Sequence, residues 1–109
     1  MRNSLSKPHG CPPGHNPGAS WSFHKAAMSY LQTQGWTVQP EYQQDYINSN
    51  GMLVHGFIDI WAEKHGVTLA VECDDYNPRK KSLAKLITCK ADICIVLCRR
   101  GKHRKVRIR

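Results

Sequence analysis

Apolar positions along the chain recur with two different periods. Between residues 21 and 34, Phe23, Ala27, Tyr30 and Leu31 return at helical spacing, with Ser20 as a candidate N-cap and Gly35 as a stop. That spacing predicts a first helix over Trp21 to Gln34. From Trp36 to Tyr46 the pattern is a loose alternation of Trp36, Val38, Tyr42 and Tyr46, which predicts a strand that Pro40 confines to an edge or a bulge. Asn48-Ser49-Asn50-Gly51 reads as a turn. Met52 to Glu63 then alternates strictly. Val54, Gly56, Ile58, Ile60 and Ala62 face one way, and His55, Phe57, Asp59, Trp61 and Glu63 the other.

After Lys64-His65-Gly66, Val67 to Asp74 reads as a buried strand. Asn77-Pro78 opens a second helix, with Pro78 in its first turn, running to about Cys89. Asp92 to Cys98 is a continuous apolar run of the kind found in central strands covered on both faces. Past the loop Arg99 to Lys102, Val106 and Ile108 alternate with Lys105, Arg107 and Arg109, which predicts a short edge strand. The expected order is α-β-β-β-α-β, with one further strand at the end.

A chain of 109 residues supports one domain with a single core. Residues 1–19 carry Pro8, Pro12, Pro13, Pro17 and three glycines, so they are expected to form a flexible tail, leaving 20–109 as the domain. No run of eighteen apolar residues and no signal-peptide pattern occurs, so a cytoplasmic protein is expected. Five cysteines, Cys11, Cys73, Cys89, Cys94 and Cys98, are odd in number and mostly sit in apolar segments. Packed, reduced thiols fit this better than a disulfide framework.

The net charge of +8 is unevenly placed. Twelve Lys or Arg follow Tyr76 against one acid, Asp92, whereas Asp59, Glu63, Glu72, Asp74 and Asp75 cluster around Lys64. A basic surface attracts polyanions, and nucleic acid is the usual partner at this isoelectric point. A blander assignment makes the basic segment a solvated face.

The acids at the end of the apolar strand carry the chemistry. If His65 and Gly66 form a two-residue hairpin, Lys64 faces Val67, and Asp59 and Glu72 become cross-strand partners on one face, with Cβ atoms ~5 Å apart. Like charges so placed repel, which makes poor scaffold and a plausible site for a divalent cation. Asp74 joins the same face. Asp59, Glu72 and the main-chain carbonyl of Cys73 would supply oxygen ligands to Mg²⁺ or Mn²⁺. The competing assignment pairs both acids with Lys or Arg from the next helix, and a one-residue slip would place them on opposite faces.

With Asp59 in Gly56-Phe57-Ile58-Asp59-Ile60 and the acid-x-residue half in Glu72-Cys73-Asp74, residues 20–98 resemble the PD-(D/E)xK nuclease superfamily. The resemblance implies a restriction-endonuclease-like α/β fold, a mixed central sheet flanked by helices, and Mg²⁺- or Mn²⁺-dependent hydrolysis of DNA phosphodiesters. It makes Asp59 and Glu72 the metal ligands and puts Asp74 where the family's lysine stands. Asp74 would then serve as a ligand or position water. Lys85, or Lys81 one turn earlier, would replace the lysine from the second helix, with Lys85 preferred. Arg79, Lys80, Arg99, Arg100, Lys102, Arg104, Lys105, Arg107 and Arg109 would contact DNA phosphates. Cutting both strands would require a homodimer. The alternative within the same fold is a nucleic-acid-binding module that does not cut.

Other groupings add less. His9, Cys11 and His15, or Cys89, Cys94 and Cys98, lack a standard zinc spacing, and no thiol lies in an evidently electropositive, exposed setting. His55 is expected to share a face with Asp59 and border the site, or to serve as a packing or hydrogen-bonding residue. Trp21, Trp36 and Trp61 are expected mostly in the core, with Trp61 on the acidic face.

Overall fold

The structure, a computed structural model, describes residues 19–108. The tail with His9, Cys11 and His15 therefore lies outside the described residues, as does Arg109. Two helices and seven strands follow one another among the described residues: α1 (Ala19–Thr33), β1 (Thr37–Gln43), β2 (Tyr46–Ile47), β3 (Leu53–Val54), β4 (Phe57–Lys64), β5 (Val67–Asp74), α2 (Lys80–Thr88), β6 (Ile93–Cys98) and β7 (Arg104–Ile108). Five strands form one sheet in the order β1-β4-β5-β6-β7, and β2 pairs with β3 in a separate ribbon. The β5–β6 pair is parallel and the other pairs are antiparallel, so the sheet is mixed. Helix α2 makes the crossover that a parallel pair requires. No helix among the described residues is long and apolar enough to cross a membrane.

Each sheet face has its own core. Ile60, Ala62, Leu69, Val71 and Cys73 pack against Phe23, Ala27, Met28 and Leu31 of α1. On the other face Ile58, Ala70, Cys94, Val96 and Cys98 pack with Leu86 and Cys89 at α2. Helix α1 starts by Ala19, one residue before the predicted cap at Ser20. It closes with a Schellman motif, in which Trp36 N–H donates to the Leu31 carbonyl (3.0 Å) and Gly35 N–H to that of Gln32 (3.0 Å). Gly35 takes the positive φ of 93° that this closure needs.

The hairpin register follows the sequence. His65 and Gly66 both have positive φ (51° and 80°), as a type I′ turn demands, and Lys64 faces Val67. The apolar run 92–98 becomes the central strand β6. Asp92, the lone acid of the basic third, clasps β5: Thr68 N–H donates to its Oδ2 (3.0 Å), and Asp92 N–H donates to Thr68 Oγ1 (2.9 Å).

Four local expectations need correction. The predicted strand Trp36 to Tyr46 ends at Gln43, and Tyr46 instead joins the β2–β3 ribbon. The predicted strand Met52 to Glu63 is broken at His55-Gly56, where a Cβ on Gly56 would stand 2.8 Å from the buried Tyr46 ring. Strict alternation in β4 fails at Asp59, because Ile58 belongs to the core under α2 and Ile60 and Ala62 to the core under α1. The neighbouring strand kinks with it. Glu41 has φ of 56°, the β1–β4 register skips the Glu41–Asp59 level, and Tyr42 crosses to stack on Trp61 (4.0 Å between centroids). In β7 the extra residue Val106 forms a bulge, since Cys94 faces Arg107 while Ile95 faces Lys105.

Gly101, between β6 and β7, has no room for a side chain: an added Cβ would lie 1.9 Å from the Tyr76 carbonyl oxygen. Backbone on both sides must move to relieve such a clash. Gly101→Ala is expected to lower stability by about 1–3 kcal/mol in urea unfolding, the usual range for overpacking. A change within experimental error would show that this loop yields freely.

Candidate metal centre

The β4–β5 ladder runs from Lys64–Val67 to Ile60–Val71 and stops one level short of Asp59 and Glu72. Side chains replace the missing main-chain bonds. Asp59 N–H donates to Glu72 Oε2 (2.9 Å), and Cys73 N–H donates to Asp59 Oδ2 (2.8 Å). The expected pair is thus brought together, but as a reciprocal side-chain-to-backbone clasp rather than two carboxylates standing side by side on one face. The kink at Asp59 causes the difference.

Glu72 is wholly buried, and Lys85 of α2 reaches it, with Nζ 2.8 Å from Oε1. At that distance the ammonium satisfies Oε1 as a buried, charge-assisted pair. Lys85 Nζ also donates to the Phe57 carbonyl (2.7 Å). Burial, and then the charge of Asp59, push the Glu72 carboxyl up to about 7, with Lys85 pulling the other way. Of the two lysines considered for this position, Lys85 is 4% exposed and Lys81 lies at the surface.

Asp74 has another task. Its Oδ2 accepts from Arg79 N–H (2.9 Å) and its Oδ1 from Arg79 Nε (2.8 Å) and Ser82 Oγ (3.0 Å). These bonds seat the start of α2, whose N-cap is Arg79 rather than a residue with a capping side chain of its own. Asp75 accepts from both Arg99 (3.2 Å) and Arg100 Nε (2.8 Å). The Arg100 hydrogen bonds foremost hold its carboxyl down at about 2. Arg100 also lies over the Tyr76 ring, 4.6 Å from its centre.

The nine expected phosphate contacts therefore divide. Lys80, Lys102, Arg104 and Lys105 are exposed, as is Lys81, whereas Arg79, Arg99 and Arg100 are exposed but tied to Asp74 or Asp75. Arg107 is turned inward by the β7 bulge. It donates to the carbonyls of Cys89 and Ala91 (2.5 and 2.9 Å) and lies 3.2 Å from Cys94 Sγ. Its guanidinium lies beside two buried thiols, Cys89 and Cys94, whose sulfurs are 3.4 Å apart. The Cys94 hydrogen bond foremost brings the Cys89 thiol down to about 6. His55 meets Asp45 at 3.0 Å on the surface, the hydrogen-bonding role that was its alternative to bordering the site.

Sequence reasoning missed His24. This buried α1 residue places Nε2 3.6 Å from Asp59 Oδ2. Donor atoms of His24, Asp59 and Cys73 all fall within 4.8 Å of one another, and the three residues could hold a metal ion. Cys73 enters this set through its sulfur. Burial, followed by the charge of Asp59, raises its thiol well above the ordinary range. His24 could have been noticed only as a polar residue beside the apolar stripe of α1, and its partners lie far away in sequence. A cleft of about 210 Å³ lined by Phe23, Cys73, Asp74, Asp75, Arg79 and Arg99 lies alongside. No protein-family model, curated protein or solved structure matches the chain.

Proposed function

We propose that this protein is a metal-dependent nuclease hydrolysing DNA phosphodiester bonds. The observation that carries the reading is the opening of the β4–β5 ladder at Asp59 and Glu72, with Lys85 buried against Glu72. Three antiparallel strands, a helical crossover and a parallel strand also follow the order that the PD-(D/E)xK resemblance implies. Asp59 and Glu72 would hold Mg²⁺ or Mn²⁺ through their carboxylate oxygens, the ion competing with Lys85 Nζ for Glu72 Oε1. Such a cation, when bound, polarises the phosphate and acidifies a water. Lys85 holds Glu72 toward the gap. Lys80, Lys81, Lys102, Arg104 and Lys105 supply solvated charge for the DNA backbone. Cutting both strands takes two copies of so small a domain.

A second reading has its own support, because a Glu72–Lys85 pair this deeply buried can also be pure scaffold in a DNA-binding module that does not cut. One assay separates the two. Supercoiled, single-stranded and branched DNA are incubated with the protein and Mg²⁺ or Mn²⁺. Nicking is expected in the wild type and loss to background in Asp59→Ala and Glu72→Gln. DNA binding without nicking under either metal, or full nicking by both variants, would overturn the nuclease reading.

A further inference from the structure

We propose that His24, Asp59 and Cys73 form a binding site for a borderline transition-metal cation, Zn²⁺ in the first place, rather than for a hard cation such as Mg²⁺. The donor set is one imidazole nitrogen, one carboxylate oxygen and one sulfur, all within 4.8 Å of one another. Zinc takes this mixture readily, whereas Mg²⁺ favours oxygen and gains little from a thiolate. Donors on a tetrahedral zinc ion stand about 3.5 Å apart, so side-chain adjustments of about 1 Å close the shell.

Three elements converge to make the set. His24 comes from α1, Asp59 from the kink in β4, and Cys73 from β5. Their surroundings restrict them: the Trp21 ring meets His24 edge-on (centroids 5.9 Å apart, planes at 81°), and Cys73 N–H anchors Asp59 Oδ2 at 2.8 Å. Contacts of this kind orient ligands before the ion arrives. The cleft of Phe23, Cys73, Asp74, Asp75, Arg79 and Arg99 reaches the set at Cys73 and offers a way in. Three protein ligands with one open position is the composition of a catalytic rather than a structural zinc site. Asp59 belongs to this set and also to the Asp59–Glu72 pair, so the ion that occupies it decides which carboxylate chemistry remains. The assignment concerns binding alone and stands or falls separately from DNA cleavage.

The full chain is titrated with Co²⁺, an optical substitute for zinc. Tetrahedral visible bands and a thiolate-to-cobalt charge-transfer band in the near ultraviolet are expected. Zn²⁺ should abolish both, and a large excess of Mg²⁺ should leave them. The charge-transfer band should vanish in Cys73→Ser and persist in Cys11→Ser and Cys89→Ser, with circular dichroism confirming the fold. His24→Gln should keep the sulfur band and weaken Co²⁺ binding roughly 10–100-fold, which tests the site even if Cys73→Ser unfolds. No charge-transfer band in the wild type, a band that survives Cys73→Ser, displacement by Mg²⁺, or unchanged affinity in His24→Gln would each overturn the proposal.

Discussion

Lys85→Met is expected to cost about 3 kcal/mol of folding stability at pH 8, measured by urea unfolding, although methionine fills the same space with an apolar chain. The reason lies in what is left behind. Lys85 is 4% exposed and faces Glu72, which is not exposed at all. Breaking a buried pair from one side typically costs about 3–5 kcal/mol, because the remaining charge has neither water nor a counterion. Here Glu72 can take up a proton, its carboxyl being already raised to about 7, so the cost falls at the lower end. The Phe57 carbonyl also loses its donor, worth about 1 kcal/mol within that total. Lys85→Met combined with Glu72→Gln should recover most of the loss, since glutamine still accepts from Asp59 N–H and needs no counterion. The double variant should nevertheless stay inactive in DNA cleavage. Equal stability of Lys85→Met and wild type would mean that water reaches Glu72 and that the pair is far less buried than its geometry indicates.

What the chain disclosed in advance, and what it concealed, follows from the range of the interactions concerned. The hairpin register was legible because His65-Gly66 is a local turn and Lys64–Val67 follows from it directly. Helix α1 was legible from its helical spacing and strand β6 from its continuous apolar run, whereas Asn77-Pro78 announced α2 but lies just before it, the helix beginning at Lys80. The kink at Glu41 and Asp59 was not. A glutamate with φ of 56° leaves no mark in the sequence, yet it separates Ile58 from Ile60 and turns an expected side-by-side acid pair into a clasp. The bulge at Val106 likewise reverses Arg107 from a phosphate-facing residue into a donor to the carbonyls at the end of α2. Lys85 could be singled out by helical spacing, and it does meet Glu72. Asp74 stood where a lysine was expected, and the structure accounts for its burial through the first turn of α2, to which its oxygens bond. His24 required the packing of α1 on the sheet before it had any meaning.

The charge on Glu72 should also make the metal-free protein lose stability as pH rises from about 4.5 to above 7. Its carboxyl sits at about 7 in the folded chain against an ordinary 4.5, with burial the main cause and Asp59 the second. Between those values the folded state holds a proton that the unfolded state has released. Stability from this source is therefore complete below 4.5 and is lost as pH passes through 7, a total of about 3 kcal/mol. Asp75 works in a lower window with the opposite sign: held at about 2 by Arg100, it adds stability above 3.8 that disappears as pH falls toward 2. The windows do not overlap, so the two groups can be read separately. Histidines also titrate near neutrality, which makes the difference between wild type and Glu72→Gln the informative quantity. In the presence of a chelator, urea unfolding from pH 4 to 8 should show that difference shifting by about 3 kcal/mol, the wild type losing ground at each step. Parallel curves for the two proteins would place the Glu72 carboxyl near its ordinary value and weaken the proposal that Asp59 and Glu72 hold a cation.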